Sequence, residues 1–153
     1  MDTSLMLFAA FAFLAAFNAG NMLTLQIQHY GIYPQVGRDQ FAEYIRANNR
    51  SAVVPTILPA MLLLLTSVAL LAARPHFMSF GAALAAVALN VTQLASTFMW
   101  QRRLQGEMAE TGYDDGKIRL LLSTNWIRTV AFFAQAVLAT TILVQALACA
   151  GVV

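Results

Sequence analysis

Charge is what this sequence has least of. Asp, Glu, Lys and Arg make up only 10% of its 153 residues, where a soluble domain carries about 25%. The scarcity is uneven. No charged residue lies between Asp2 and Arg38, and none in 51–73, 75–101 or 129–153. With 59% hydrophobic residues and a mean hydropathy of +0.66, a disordered, fibrous or ordinary soluble chain is excluded. Cysteine is nearly absent too. Cys149 stands alone, so no intramolecular disulfide can form, and thiol–disulfide chemistry of the kind some small four-helix membrane oxidoreductases perform is excluded. Cys149 therefore reads as a small apolar packing residue. The apolar runs hold no acidic residue, which argues against relaying protons or cations through them. The first residues hold no Lys or Arg, so the first run reads as a retained helix rather than a cleaved signal. The net charge of +2 is too small to suggest nucleic acid. Neither E-x-x-H nor H-E-x-x-H occurs, and no Gly-rich phosphate loop or serine-hydrolase elbow is present. No protein-only metal centre is expected.

What is present is four long apolar runs, each near the roughly 20 residues that cross a bilayer. The expected fold is all-α: an integral membrane four-helix bundle forming a single domain, 1–153, with the lipid bilayer as its solvent. The approximate spans are 5–28, 52–73, 79–101 and 129–149, and the fourth helix should begin near 116. Short amphipathic helices are expected on the cytoplasmic side, between helices 1 and 2 and between helices 3 and 4. Asp39 can cap the first of these, about 40–48. Pro59 should kink the second run. Gly112 should end an extension of the third, and Asp114 or Asp115 should cap the fourth. The basic residues of the two long connections (Arg38, Arg46 and Arg50; Arg102, Arg103, Lys117 and Arg119) outnumber the lone Arg74 of the short one. The positive-inside rule then puts both connections in the cytoplasm of a cell with an inner membrane, and both termini on the other side. Small-residue ridges, Ala12–Ala16–Gly20 and Gly81–Ala85, can pack within the bundle, in a homo-oligomer, or against a membrane complex partner.

Polar groups in hydrocarbon are costly, so they mark the places to look. At helical spacing Asn18, Asn21, Gln28 and His29 share one face. Asn90, Gln93, Thr97 and Trp100 or Gln101 share another, and Asn125, Arg128 and Gln135 a third, with Phe132 between them. Two readings stand side by side. The amides can tie the helices together, as expected first for Asn18, Asn21, Asn90 and Gln135. Alternatively the three faces line a polar and aromatic pocket at the cytoplasmic end. Its ligand-binding residues would be Asn21, Gln28, Tyr30, Tyr33, Gln93, Thr97, Trp100, Trp126 and Phe132. Its chemically active ones would be His29, Arg128 and Asn125. His29 can be a general base, a haem ligand or an interfacial histidine. His76 lies at the other end of the bundle, so haem held by both histidines is not expected, while haem on His29 alone stays open. Arg128 can snorkel to the interface or hold an anionic or carbonyl oxygen.

The run Asn125-Trp126-Ile127-Arg128-Thr129 carries a resemblance. So do Gln28-His29-Tyr30, Tyr33-Pro34, Val36-Gly37, Phe41 and Tyr44. Together they resemble small bacterial four-helix membrane proteins similar to the anthrone oxygenase-like family. The resemblance implies a four-helix membrane fold and oxidation of a planar aromatic by O₂, with His29 as base and Arg128, assisted by Asn125, beside the developing oxyanion. The residues themselves point first to a non-catalytic binder or accessory subunit for a lipid, quinone or haem. A cofactor-free or haem-assisted oxygenase of an anthrone-like substrate is the second reading, and a channel or transporter the third.

Overall fold

A computed structural model of the chain describes residues 2–151. It is all-helical among those residues. The α-helices are α1 (Thr3–Thr24), α2 (Phe41–Ser51), α3 (Leu58–Ala72), α4 (Phe80–Ser96), α5 (Arg102–Thr111) and α6 (Asp115–Cys149). α1 continues through a wide i→i+5 turn, Leu25–His29, into a 3₁₀ segment, Tyr30–Gln35. α3 is preceded by a second wide turn, Val53–Ile57, and α4 is joined to α5 by a third, Thr97–Gln101. Four of these continuous helices, Thr3–Gln35, Val53–Ala72, Phe80–Thr111 and Asp115–Cys149, are long and apolar enough to cross a membrane. The chain is a multi-pass membrane protein built as a helical bundle.

α1 packs on α3 and α6, and α4 packs on the same two, so α1 and α4 stand on one diagonal of the bundle. Phe8, Phe11, Ala15, Met22, Leu63, Leu70, Ala83, Ala86 and Phe132 fill its centre. The outer face is as apolar as the inner one: Phe13 is 69% exposed, Val54 71% and Val137 62%. In water such a surface would be a liability, whereas lipid is its natural solvent. Packing rather than hydrophobic exclusion then holds the helices together. At the basic end, α2 lies across α5. Arg46 Nη1 donates to the Ala109 carbonyl at 2.6 Å, and Phe41, Ile45, Leu104, Met108, Ile118 and Leu121 form a second core with Tyr30 and Tyr33. Phe77, in the short α3–α4 connection, meets Phe8 edge-on at 5.2 Å, which places the start of α1 at the opposite end.

Local chemistry explains the breaks. Asp2, Ser79 and Asp114 cap α1, α4 and α6, each accepting a backbone N–H of the first turn. Thr111 ends α5 because Gly112 takes φ +84°, a conformation that a side chain would strain. Asp39 does not cap α2. It sits inside a 3₁₀ turn, Arg38–Gln40, already helical and so without the extended backbone that a cap requires. Pro59 lies at the second position of α3, and the wide turn Val53–Ile57 takes up the disturbance ahead of it. Having no N–H, Pro59 cannot serve the Pro55 carbonyl in an i→i+4 bond. That carbonyl accepts Asn21 Nδ2 at 2.9 Å, and the Pro59 carbonyl accepts Asn18 Nδ2 at 3.2 Å. These two asparagines hold the proline-broken helix against α1.

The Asp114 cap is pH-sensitive. The Lys117 backbone N–H, and then that of Gly116, hold its carboxyl below the usual carboxylate range. A depressed folded value means the stabilisation is complete above the unfolded carboxylate pKa and is lost as pH falls through the folded one. The first turn of α6 should therefore fray as pH drops below about 4. Amide exchange at residues 115–118 checks this. Asp114→Ala should show the frayed exchange at neutral pH, and Asp114→Asn should protect the turn at every pH.

Candidate functional site

The polar faces meet in two tiers. The first lies among α3, α4 and α6. Ser67 Oγ donates to the Leu63 carbonyl at 2.7 Å and accepts both Asn90 Nδ2 at 2.9 Å and Gln135 Nε2 at 3.2 Å. Gln135 Oε1 in turn accepts Gln93 Nε2 at 3.1 Å. All four side chains are buried. Here the amides bind the helices to one another, which is the structural role expected of Asn90 and Gln135. Gln93, a candidate ligand contact, belongs to the same knot. Ser67 was missed, because a serine within Leu62–Leu71 is unremarkable by composition.

The second tier lies nearer the basic end, at the level of two of the wide turns. Gln26 Nε2 donates to the Leu122 carbonyl at 3.1 Å, and Gln26 Oε1 accepts Asn125 Nδ2 at 2.7 Å. Asn125 Oδ1 accepts Arg128 Nη1 at 3.1 Å. The Tyr30 hydroxyl faces the same guanidinium and accepts Gln105 Nε2 at 3.1 Å. Gln101 Nε2 donates to Thr124 Oγ1 at 3.1 Å. Arg128 is 8% exposed, and its contacts are neutral. Three ion pairs occur among the described residues (Arg38–Asp115, Arg103–Glu107 and Lys117–Glu107), and Arg128 takes part in none of them. Its Nε has no hydrogen-bond partner. A buried guanidinium without a counter-ion is an expensive arrangement.

His29 adjoins this tier through Tyr30. Its ring is half-buried and lies 5.5 Å from the rings of Tyr30 and Tyr33 and 6.2 Å from Tyr44, the last nearly parallel. Its Nε2 is buried and unpartnered. The Tyr33 hydroxyl accepts Asn48 Nδ2 at 3.1 Å, which ties this cluster to α2.

Of the expected site residues, His29, Tyr30, Tyr33, Asn125 and Arg128 come together. Thr97 and Trp100 are half-buried in the α4–α5 turn, and Thr97 Oγ1 donates to the Gln93 carbonyl. Others stand elsewhere. Asn21 serves Pro55, and Phe132 is in the hydrophobic centre. Gln28 is exposed, and Gln26 holds the inward position instead. The wide turn is the reason. It takes more residues per turn than an α-helix, so positions four apart, Met22, Gln26 and Tyr30, stay in line where α spacing points to Gln28. The same effect selects Gln101 over Trp100. Trp126 is 48% exposed, on the far side of α6 from Arg128. With Leu23, Thr129, Val130, Phe133, Ala134 and Val137 it lines an outward-facing apolar groove of about 440 Å³. At this level Gln26, Asn125 and Arg128 are bonded to one another.

No group of three or more His, Cys, Asp or Glu suited to a metal ion occurs among the described residues. No protein family, curated protein or solved structure matches the chain.

Proposed function

We propose that this chain is an inner-membrane protein, with its basic connections in the cytoplasm and both termini outside, that binds a small membrane-soluble quinone-type ligand without transforming it. The observation that carries the reading is Arg128. Its guanidinium is buried and without a counter-ion, and its Nε–H is unused. A ligand carbonyl would accept that donor in surroundings where a charge-assisted hydrogen bond is strong. Tyr30, and Trp100 packed on the same cluster as Tyr30, offer aromatic surface. The polar side chains of the tier are buried and bonded to one another, so a ligand must be admitted by movement. The wide turns Leu25–His29 and Thr97–Gln101 are the compliant places, because reverting to α spacing shifts the register of the flanking helix. Haem is the poorer fit. Three tyrosines already surround the His29 ring, where a porphyrin would have to lie.

The alternative, an oxygenase with His29 as base and Arg128 as oxyanion partner, is favoured by the unpartnered Nε2 of His29 and by Tyr30, which links it to the guanidinium. A channel or transporter has less support, since the amides of the bundle bond to one another.

The test is titration of the detergent-purified protein with a decyl-substituted benzoquinone, read by tryptophan fluorescence. Saturable binding is expected, weakened at least tenfold in Arg128→Met and little changed in His29→Gln. Equal binding by Arg128→Met and the native protein would overturn the reading. Substrate turnover that His29→Gln abolishes would favour the oxygenase.

A further inference from the structure

The buried side-chain atoms without a partner are not scattered. Besides His29 Nε2 they are Ser96 Oγ, Gln101 Oε1 and Arg128 Nε. Their residues are 1%, 2% and 8% exposed, so water reaches none of them from outside. Two rungs between α4–α5 and α6 bracket the residues that carry the last three. Gln93 bonds to Gln135 on one side, and Gln101 bonds to Thr124 on the other. Ser96 falls between Gln93 and Gln101 along one strand of this ladder. Arg128 falls between Thr124 and Gln135 along the other, one turn from Thr124 on the same helical face. The guanidinium reaches back towards the helix N-terminus, where Nη1 meets Asn125.

The chemistry of the three atoms is settled by their neighbours. Arg128 Nε–H can only donate. Thr124 Oγ1 gives its own hydrogen to the Leu120 carbonyl at 2.7 Å, so it must accept from Gln101. That fixes the amide with Nε2 towards Thr124 and leaves Oε1 as a bare acceptor. Ser96 Oγ can do either. The set therefore offers one donor, one acceptor and one group of both kinds. A carbonyl satisfies the donor and leaves the acceptor bare. A hydroxyl satisfies both, because its oxygen accepts from Arg128 while its hydrogen goes to Gln101.

We propose that Ser96, Gln101 and Arg128 form a receptor for a hydroxyl group, and that it selects the dihydroxy, reduced form of a quinone-type ligand over the oxidised form. The choice of ligand rests on the function proposed above; the receptor itself rests on the three atoms. Water offers the same hydroxyl chemistry, so the receptor should take a water when no ligand is bound. Leaving a buried acceptor unpaired is the penalty that the quinone incurs and the quinol avoids. Preferential binding of the reduced form also raises the midpoint potential of the bound couple, by about 30 mV for each tenfold of preference in a two-electron couple.

The experiment titrates the full-length protein with a decyl-benzoquinone and with its chemically reduced quinol under argon. The native protein should bind the quinol about tenfold more tightly. In Gln101→Met, which keeps the length and removes the acceptor, the two affinities should converge, that for the quinone rising as its unpaired-acceptor penalty is removed and that for the quinol falling. Equal affinities in the native protein, or a preference surviving in Gln101→Met, would overturn the selectivity. If neither form binds, the ligand reading fails by itself, and the receptor is judged on water. The Arg128 Nε–H signal of the protein in micelles should then show a cross-peak to bound water that weakens in Ser96→Ala. Absence of that cross-peak would overturn the receptor as well.

Discussion

Arg128→Met is expected to make the ligand-free protein more stable, by about 1–2 kcal/mol, while weakening ligand binding at least tenfold. Arg128 keeps a full charge in the bundle with hydrogen bonds but no carboxylate to oppose it. Desolvation of that charge is compensated only in part by Asn125 Oδ1 and the Tyr30 hydroxyl. Methionine fills a similar length with flexible apolar atoms and removes the desolvation cost. It leaves Asn125 Oδ1 without the guanidinium, which is why the expected gain is modest. Residues that serve only the fold do not behave this way, since their removal destabilises. Unfolding in mixed micelles, followed by helicity, reads the sign directly. A loss of stability in Arg128→Met would make the arginine a structural strut and remove the main support for a ligand. Arg128→Lys, which retains charge without the planar fork, should show neither the gain in stability nor native binding.

Phe132→Ala is expected to cost about 3–5 kcal/mol. Phe132 is 1% exposed and packs in the centre with Phe8, Phe11, Met22 and Leu63 from α1 and α3. The bundle cannot readily collapse onto the lost volume. The Gln93–Gln135 rung and the bonds to Ser67 hold α3, α4 and α6 at their spacing less than one turn away. Phe132→Leu should cost about 1 kcal/mol, because little volume is lost. The same unfolding measurement decides between core residue and ligand wall. A wall would show weakened quinone binding at native stability, whereas the packing predicts a large loss of stability for alanine and near-native binding for leucine.

Particular residues show how far sequence reasoning reached. The charge-free runs predict four helices that can span a bilayer, and their periodicity puts Asn125, Arg128, Phe132 and Gln135 on the inward face of α6. That worked because α6 runs from Asp115 to Cys149 without an irregular turn. Gln28 and Trp126 show where it stopped. Gln28 follows Leu25 at helical spacing, but the wide turn rotates it out and brings Gln26 in. Trp126 adjoins Asn125 in the chain, yet a step of one residue turns a helix by about 100°, enough to put it on the outer surface. Ser67 carried no signal, because its value lies in accepting two amides from other helices.

Composition and spacing alone determined that this is a membrane-spanning helical chain, because charge-free runs of about 20 residues suit a spanning helix and not the short alternating strands of a barrel, the other structure that satisfies its backbone in lipid. They also determined the Asp114 cap of α6 and where α5 must stop, since those depend on a few neighbouring residues, whereas the expected Asp39 cap failed and the Asp2 and Ser79 caps came only from the structure. Only the tertiary structure decided which polar groups meet. Asn21 faces a carbonyl freed by a proline 38 residues further along, Gln26 reaches α6, and Arg128 stays buried with its Nε unpartnered. Such contacts depend on register between helices, and three wide turns change that register locally without leaving a mark in the hydrophobic pattern.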